Sequence, residues 1–399
     1  MDSIAARFPA LSRTVYGKRL AYLDSAASAQ KPHVVLDALM EALGGPYANI
    51  HRGLYYNSAE TTAAFEAARE RMARFMNADP RGLIVVRNAT EGVNLVAQAW
   101  GRTNLTAKDA IVLSEVEHHA NIVPWQLLQR EIGFEIRVIP LDVLKASTPE
   151  NIKPYVDGAK LLAITQMSNV SGLKPDLGMM IPLAKAAGCV VLVDGSQGVV
   201  HARQDLSTLG ADFYVMTGHK LYGPNGIGML WGNPDMLETM PPYQGGGDMI
   251  DKVVLPLGTT YAGVPARFEA GTPAISELIA LAAAADFMDE LGWDAIGARE
   301  HSLAVRLSAM MAGLDFVEVY SSPDTGIVAF NVKGAHPADV ATLLDQQGVA
   351  VRSGHHCAMP YMAALGIESC LRASLGIYTT EEDIAQLEEA LTKARQMLV

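Results

Sequence analysis

Basic residues are in deficit in this chain. Its 399 residues hold 31 Lys and Arg against 43 Asp and Glu, a formal net charge of −12. That balance argues against nucleic acid or an anionic membrane surface as the main partner. Cysteine is scarce as well, with Cys189, Cys357 and Cys370 making up the whole complement. An odd, low number fits a reducing compartment without structural disulfides. No CxxC pair exists, so zinc finds no familiar ligand spacing and no metal is expected. Long apolar runs are missing: a stretch such as Ile279 to Ala285 falls far short of a membrane span. The first residues, Met1-Asp2-Ser3-Ile4-Ala5-Ala6-Arg7, show no basic stretch leading into an apolar run. No secretory signal is read there, and the expected location is the cytoplasm. Repeats, low-complexity tracts and linkers rich in Pro, Gly and Ser are also absent. What remains is ordinary globular composition, half of it apolar, and long enough for a large domain plus a smaller one.

Short β-branched runs alternate with helical patterns through the middle of the chain. Leu83-Ile84-Val85-Val86 reads as a strand, followed by a helix from about Thr90 to Trp100. Further strands are read at 110–113, 161–165, 190–193, 213–216 and 227–230. Near-continuous apolar strands between helices predict a mostly parallel sheet covered on both faces. After about Thr272 the pattern changes. An Ala-rich helix is read over 274–291, strands at 316–320, 326–331, 349–352 and 371–375, and helices over 337–347 and 380–397, with Thr380 as N-cap of the last. This predicts an α/β fold with a large domain over 21–289 and a smaller α+β domain made of 1–20 and 290–399.

Ligands of such sheets bind beyond the carboxyl ends of the strands. Asp194 closes the run Val191-Leu192-Val193-Asp194. It reads as an N-cap or as the carboxylate that keeps a pyridine nitrogen protonated. One strand further on, Lys220 lies in the Gly-flanked turn Thr217-Gly218-His219-Lys220-Leu221-Tyr222-Gly223-Pro224, although lysine ordinarily occupies solvated helix faces. Neighbouring strands would bring Asp194 and Lys220 to one end of the sheet. Pyridoxal phosphate (PLP) needs such a pair, a lysine for its aldehyde and an acid for its ring nitrogen. The turn Arg87-Asn88-Ala89-Thr90-Glu91-Gly92 offers backbone N–H groups and a hydroxyl to a phosphate, or simple capping by Thr90. Glu115-Val116-Glu117-His118-His119-Ala120-Asn121 offers a histidine ring to stack on the pyridine. Adjacent histidines rarely face one site, which speaks against a metal pair.

These motifs resemble the class V, fold type I aminotransferases. More narrowly, Ala21-Tyr22-Leu23-Asp24-Ser25-Ala26-Ala27-Ser28, Glu117-His118-His119-Ala120-Asn121-Ile122-Val123-Pro124-Trp125 and Arg352-Ser353-Gly354-His355-His356-Cys357-Ala358-Met359-Pro360 resemble the SUF-type cysteine desulfurases. Phe268-Glu269-Ala270-Gly271-Thr272-Pro273 and Leu371-Arg372-Ala373-Ser374 agree, and the likeness runs from about Phe8 to the C-terminus. The resemblance implies a PLP fold with a seven-stranded-type sheet. It makes Lys220 the lysine that carries PLP, Asp194 the partner of the ring nitrogen, and His118 the stacking ring that assists proton transfer. Gln197 would bond the phenolic oxygen. Thr90, Thr217 and His219 would hold the phosphate, with Thr272 reaching in from a second subunit of a homodimer. Asn169 would lie by the cofactor and, with Arg372, Arg352 and His51, serve the substrate. Cys357 would be the nucleophile. Thr217 stands where the family usually has Ser. Asn88-Ala89 and Leu375-Gly376-Ile377-Tyr378-Thr379 also depart from its common wording.

The implied reaction is that of a sulfurtransferase. L-cysteine becomes L-alanine while its sulfur passes to Cys357 as a persulfide, bound for a SufE-like or SufU-like acceptor and iron–sulfur cluster assembly. The thiolate is the reactive form, and His355, His356 and Arg352 stand near enough in sequence to help ionise Cys357. Cys189 and Cys370 read as structural. The rival readings are a selenocysteine lyase or a cysteine sulfinate desulfinase on the same scaffold. An ordinary class V transaminase would leave Cys357 without a task. A catalytically silent sulfur-binding protein would not need Lys220, Asp194, His118 and Arg372 together. A Rossmann dehydrogenase is disfavoured because no G-x-G-x-x-G follows the first strand.

Overall fold

Apolar runs of four or five residues form the strands of the main sheet because both faces of that sheet are covered. The computed structural model describes residues 4–323 and 325–399. The strands are β1 (Leu83–Val86), β2 (Ala110–Ser114), β3 (Glu135–Ile139), β4 (Leu161–Thr165), β5 (Val190–Asp194), β6 (Phe213–Thr217) and β7 (Gly228–Gly232). Their order across the sheet is β1-β7-β6-β5-β4-β2-β3. β7 runs antiparallel to β1 and β6, and the other pairings are parallel. Six carboxyl ends therefore share one edge. β1, β2, β4, β6 and β7 are buried at every position, each large apolar side chain contributing about 1.5–3 kcal/mol. β3 escaped the sequence reading because Glu135 and Arg137 interrupt its apolar pattern at the sheet edge.

These strands belong to a unit formed by Val34–Gln166 and Pro175–Phe287. Its helices include α1 (Tyr56–Phe75), α2 (Ala89–Leu95) and α3 (Leu177–Ala186). The helix predicted to reach Trp100 holds α-geometry only to Leu95 and continues as a π-helical turn over Val96–Gly101. Gly228 opens β7 at a tight crossing. A Cβ there would lie 2.7 Å from the Met216 carbonyl oxygen and 2.8 Å from Asn88 Cα. Only glycine lets the turn before α2 lie against the end of β6.

The second unit comprises the chain up to His33, Met167–Lys174 and Met288–Val399. The Ala-rich run forms α4 (Ile275–Leu291), which belongs to the first unit as far as Phe287; the second unit's helices are α5 (Trp293–Gly313), α6 (Pro337–Gln346) and α7 (Glu381–Leu398). Strands β8 (Val317–Val319), β9 (Ile327–Val332), β10 (Arg352–Gly354) and β11 (Cys370–Ser374) make an antiparallel sheet in the order β8-β9-β11-β10. Leu303, Leu307, Phe330, Val340, Leu344, Leu387 and Leu391 share its core. Residues 21–33, read from sequence with the large domain, cluster with this unit. Their backbone explains it: Ala21–Tyr22 pairs with Val349–Ala350, and Asp24 bridges to Ser374. Thr380 caps α7 through a reciprocal box with Asp383. No helix among the described residues is long and apolar enough to cross a membrane.

Candidate active site

The shared edge of the main sheet gathers one set of candidate residues. Asp194 ends β5, is 5% exposed, and accepts a hydrogen bond from Ser196 N–H at 3.0 Å. Gln197 follows it, also buried. On the adjacent strand, Thr217 ends β6 in register with Gly228. Its Oγ1 is buried and has no hydrogen-bond partner among the described residues. The chain then turns tightly: Gly218 N–H donates to Ile227 O at 2.9 Å and Gly223 N–H to Gly218 O at 3.0 Å. His219 and Lys220 sit half-buried in this turn. Thr90, the second residue of α2, is exposed at the same edge. The cap of α2 is Asn88, whose Oδ1 accepts from Glu91 N–H at 3.0 Å, so Thr90 is not needed for capping.

His118 comes from the loop after β2. Its Nδ1 accepts the Ala120 N–H at 3.0 Å, which in the neutral ring assigns the proton to Nε2. Just before it, Glu117 is wholly buried. Ser114 Oγ donates to it at 2.5 Å, Asn121 Nδ2 at 2.8 Å and Thr165 N–H at 3.0 Å. Burial pushes its carboxyl up to about 7 against the pull of those donors, and the Asp194 charge adds to the rise. Sequence reasoning gave Glu117 no role. The one available signal was an acid just after a buried strand, and it was masked by the polar neighbours Glu115, His118 and His119. Thr272 is exposed and lines a pocket with Arg87, Glu91 and Tyr243. The segment before it is pinned by Glu269, which takes Arg69 through two bonds of 2.7 and 2.8 Å and Val85 N–H at 2.6 Å. His51 is exposed at φ 69° with Nε2 2.9 Å from Glu66 Oε1.

A second set lies in the smaller unit. Arg372 sits in β11, 1% exposed and in register with Arg352 of β10. Its Nη2 donates to Asp24 Oδ1 at 2.6 Å and its Nη1 to the Asn169 carbonyl at 2.8 Å. Its Nε–H is buried without a partner among the described residues. Asn169 Nδ2 in turn donates to the His356 carbonyl at 2.7 Å. Asp24 is thus an orienting carboxylate that the sequence reading quoted in a motif but gave no task.

Cys357 is half-buried at φ 56°, directly after His356 at φ 52°, two consecutive left-handed residues that side chains ordinarily avoid. His356 corrects one expectation. It is 3% exposed, and with Nε2 3.0 Å from the Cys370 carbonyl it must donate there. Burial, with Arg372 nearby, holds its ring down at about 3. His356 is therefore neutral and supplies no positive charge to ionise Cys357. The other two thiols are inert, as read from sequence: burial pushes Cys189 up to about 11 and Cys370 up to about 12.

Comparisons with known proteins place this mostly parallel sheet in a known family. The profile of the class-V aminotransferases fits residues 21–387, and the chain belongs to that family. Within it, a cysteine desulfurase of Enterobacter sp. (strain 638) is 48% identical, covering 100% of this chain and 99% of that protein. A crystal structure of an Escherichia coli cysteine desulfurase in an S-sulfonic acid form superimposes with a TM-score of 0.89 at 38% identity, covering 99% and 98% of the two chains. The apo cysteine desulfurase of Thermococcus onnurineus gives 0.91 at 32% identity over 98% of each. The protein is a member of the cysteine desulfurases.

Proposed function

We propose that this protein converts L-cysteine to L-alanine and takes the released sulfur onto Cys357 as a persulfide. The observation that carries the reading is Arg372. It is a buried guanidinium oriented by Asp24 and Asn169, with its Nε–H left for a carboxylate, in the same unit as the accessible Cys357. PLP fits the other set of residues. Lys220 would bind its aldehyde, Asp194 its ring nitrogen, His118 its face and Gln197 its phenolic oxygen. Thr90, Thr217 and His219 would hold its phosphate, which supplies the acceptor that the buried Thr217 Oγ1 lacks. PLP, when bound, takes up the electron pair of the substrate α-carbon.

The remaining steps belong to the chain. Lys220 would take the α-proton of the substrate, and His118 would move a proton with Nε2 as donor. Arg372, with Asn169 and Arg352 in the same unit, would fix the carboxylate. The Cys357 thiolate attacks the substrate sulfur: the S–S bond forms, the Cβ–S bond breaks, and its electron pair stays on carbon, which is protonated to alanine. No outside oxidant is needed.

We place the protein in the SUF-type subgroup on the Arg-x-Gly-His-His-Cys segment, with delivery to a SufE-like or SufU-like acceptor for iron–sulfur assembly in the cytoplasm. A larger domain that holds the PLP residues and a smaller one that carries Cys357 complete the proposal, with residues 21–33 counted in the smaller one. A homodimer, with Thr272 of one subunit serving the other, accounts for the large exposed side chains Leu54, Leu255 and Leu257.

The test follows L-cysteine turnover, assaying alanine and sulfane sulfur together, in the parent protein and in Cys357→Ala. Both products from the parent and neither from the variant are expected. Equal output from the variant would sink the nucleophile assignment and turn attention to selenocysteine and cysteine sulfinate as substrates.

A further inference from the structure

Glu117 has no part in the chemistry just described, yet few groups in the protein are so thoroughly built in. It is completely shielded from solvent. Its carboxyl joins three elements: Ser114 at the end of β2, Asn121 in the turn that follows, and the backbone N–H of Thr165 at the end of β4. All three contacts are donors, a set that suits an anion and would leave a neutral amide with opposed N–H groups. The charged neighbour that acts on it is Asp194 of β5. The adjacent strand β6 carries Tyr214, a buried phenol whose O–H donates to Gln166 at 2.8 Å and whose acidity is suppressed by burial and, after it, by the Asp194 charge. His118 follows in the chain, its Nδ1 committed to Ala120 N–H.

We propose that Glu117 is a positioning residue for the desulfurase reaction, fixing the turn that presents His118 and adding to Asp194 a second negative charge that raises the proton affinity of the cofactor Asp194 faces. The inference rests on the PLP-dependent reading above. A carboxylate is required for both tasks. Asn121 and Thr165 alone would hold the turn only if an acceptor stood between them, and only a charged acceptor reaches Asp194 electrostatically. Because Glu117 gains its proton near neutrality, the second charge is present at alkaline pH and withdrawn at acid pH.

The experiment titrates the visible absorption of bound PLP with pH in holoenzyme of the parent, Glu117→Gln and Glu117→Asp. Removing one negative charge at this depth is expected to lower the protonation midpoint by about one pH unit in Glu117→Gln. Glu117→Asp, which keeps the charge, should retain the parent midpoint even if turnover falls. Equal midpoints in parent and Glu117→Gln overturn the proposal, and so do equal shifts in both variants, which would mark a purely structural residue. If Glu117→Gln does not fold, infrared difference spectra of the parent holoenzyme across neutral pH carry the test. A buried carboxyl stretch must vanish in step with a change in the visible band, and a band indifferent to that stretch overturns the idea. Failure of the underlying reading looks different: the parent would bind no PLP or form no alanine from L-cysteine, whatever Glu117 does.

Discussion

His356 shows how one buried side chain leaves a trace in bulk behaviour. Its ring is held at about 3 in the folded protein against an ordinary value of 6.5. Above pH 6.5 it is neutral whether folded or not, and it contributes nothing to pH dependence. Between about pH 6.5 and 3 the unfolded chain binds a proton that the folded chain refuses. Stability therefore falls as pH falls, by up to about 1.4 kcal/mol per pH unit. Glu117 acts with the opposite sign. Raised from 4.5 to about 7, it binds its extra proton in the folded state between those values, so its contribution is lost as pH rises through them. The informative quantity is thus the difference between the parent and His356→Asn, an amide that keeps a donor for the Cys370 carbonyl. Urea midpoints measured at pH 7 and pH 5 should show the parent losing more stability on acidification than the variant. Equal losses would mean that His356 is not held neutral. At this scale Asp194 and Lys220 stood out in the sequence, because a charged residue at or just past the end of an apolar strand is conspicuous, whereas Arg372, in the middle of its strand, was read only from the family resemblance. Glu117 and Asp24 were not, since their significance lies in contacts 48 and 348 residues distant in the chain.

Among elements, β7, β6 and the turn before α2 meet backbone against backbone at Gly228. Gly228→Ala would drive a methyl group into the Met216 carbonyl and the Asn88 backbone, none of which can swing aside as a side chain does. The expected loss is about 1–3 kcal/mol, read as a lower urea midpoint, with weaker PLP binding because Thr217 and the Asn88–Thr90 turn move apart. Gly297 in α5 meets nothing within 4 Å, so Gly297→Ala should hold or gain stability, as alanine does in helices. A Gly228→Ala protein as stable as Gly297→Ala would refute the crossing argument. Most strands were readable because burial on both faces leaves an unbroken apolar signature. The losses include the long helix α1 (Tyr56–Phe75), and two others have a visible cause. β3 carries charge at an exposed edge, and α5 contains Gly292 at its N-cap and Gly297 inside, which mask its helical period.

For the whole molecule, the α/β architecture and the family were legible from motifs that span nearly the entire chain, and the comparisons agree at that level. The membership of residues 21–33 was not, because a two-residue strand says nothing about its partner. That partner, Val349–Ala350, together with the Asp24–Arg372 pair, joins the beginning of the chain to its end. During synthesis at about 5–20 residues per second, Tyr22 leaves the ribosome roughly 15–65 s before its pairing residue exists. Ribosome-stalled chains ending before residue 349 should have their first thirty residues cleaved readily by protease, and chains released at full length should not. Protection in the shorter chains would show that another segment shelters the N-terminal strand. The Asp24–Arg372 pair is thus completed only once residue 372 has been made, and a chain cut short before it carries no copy of the pair.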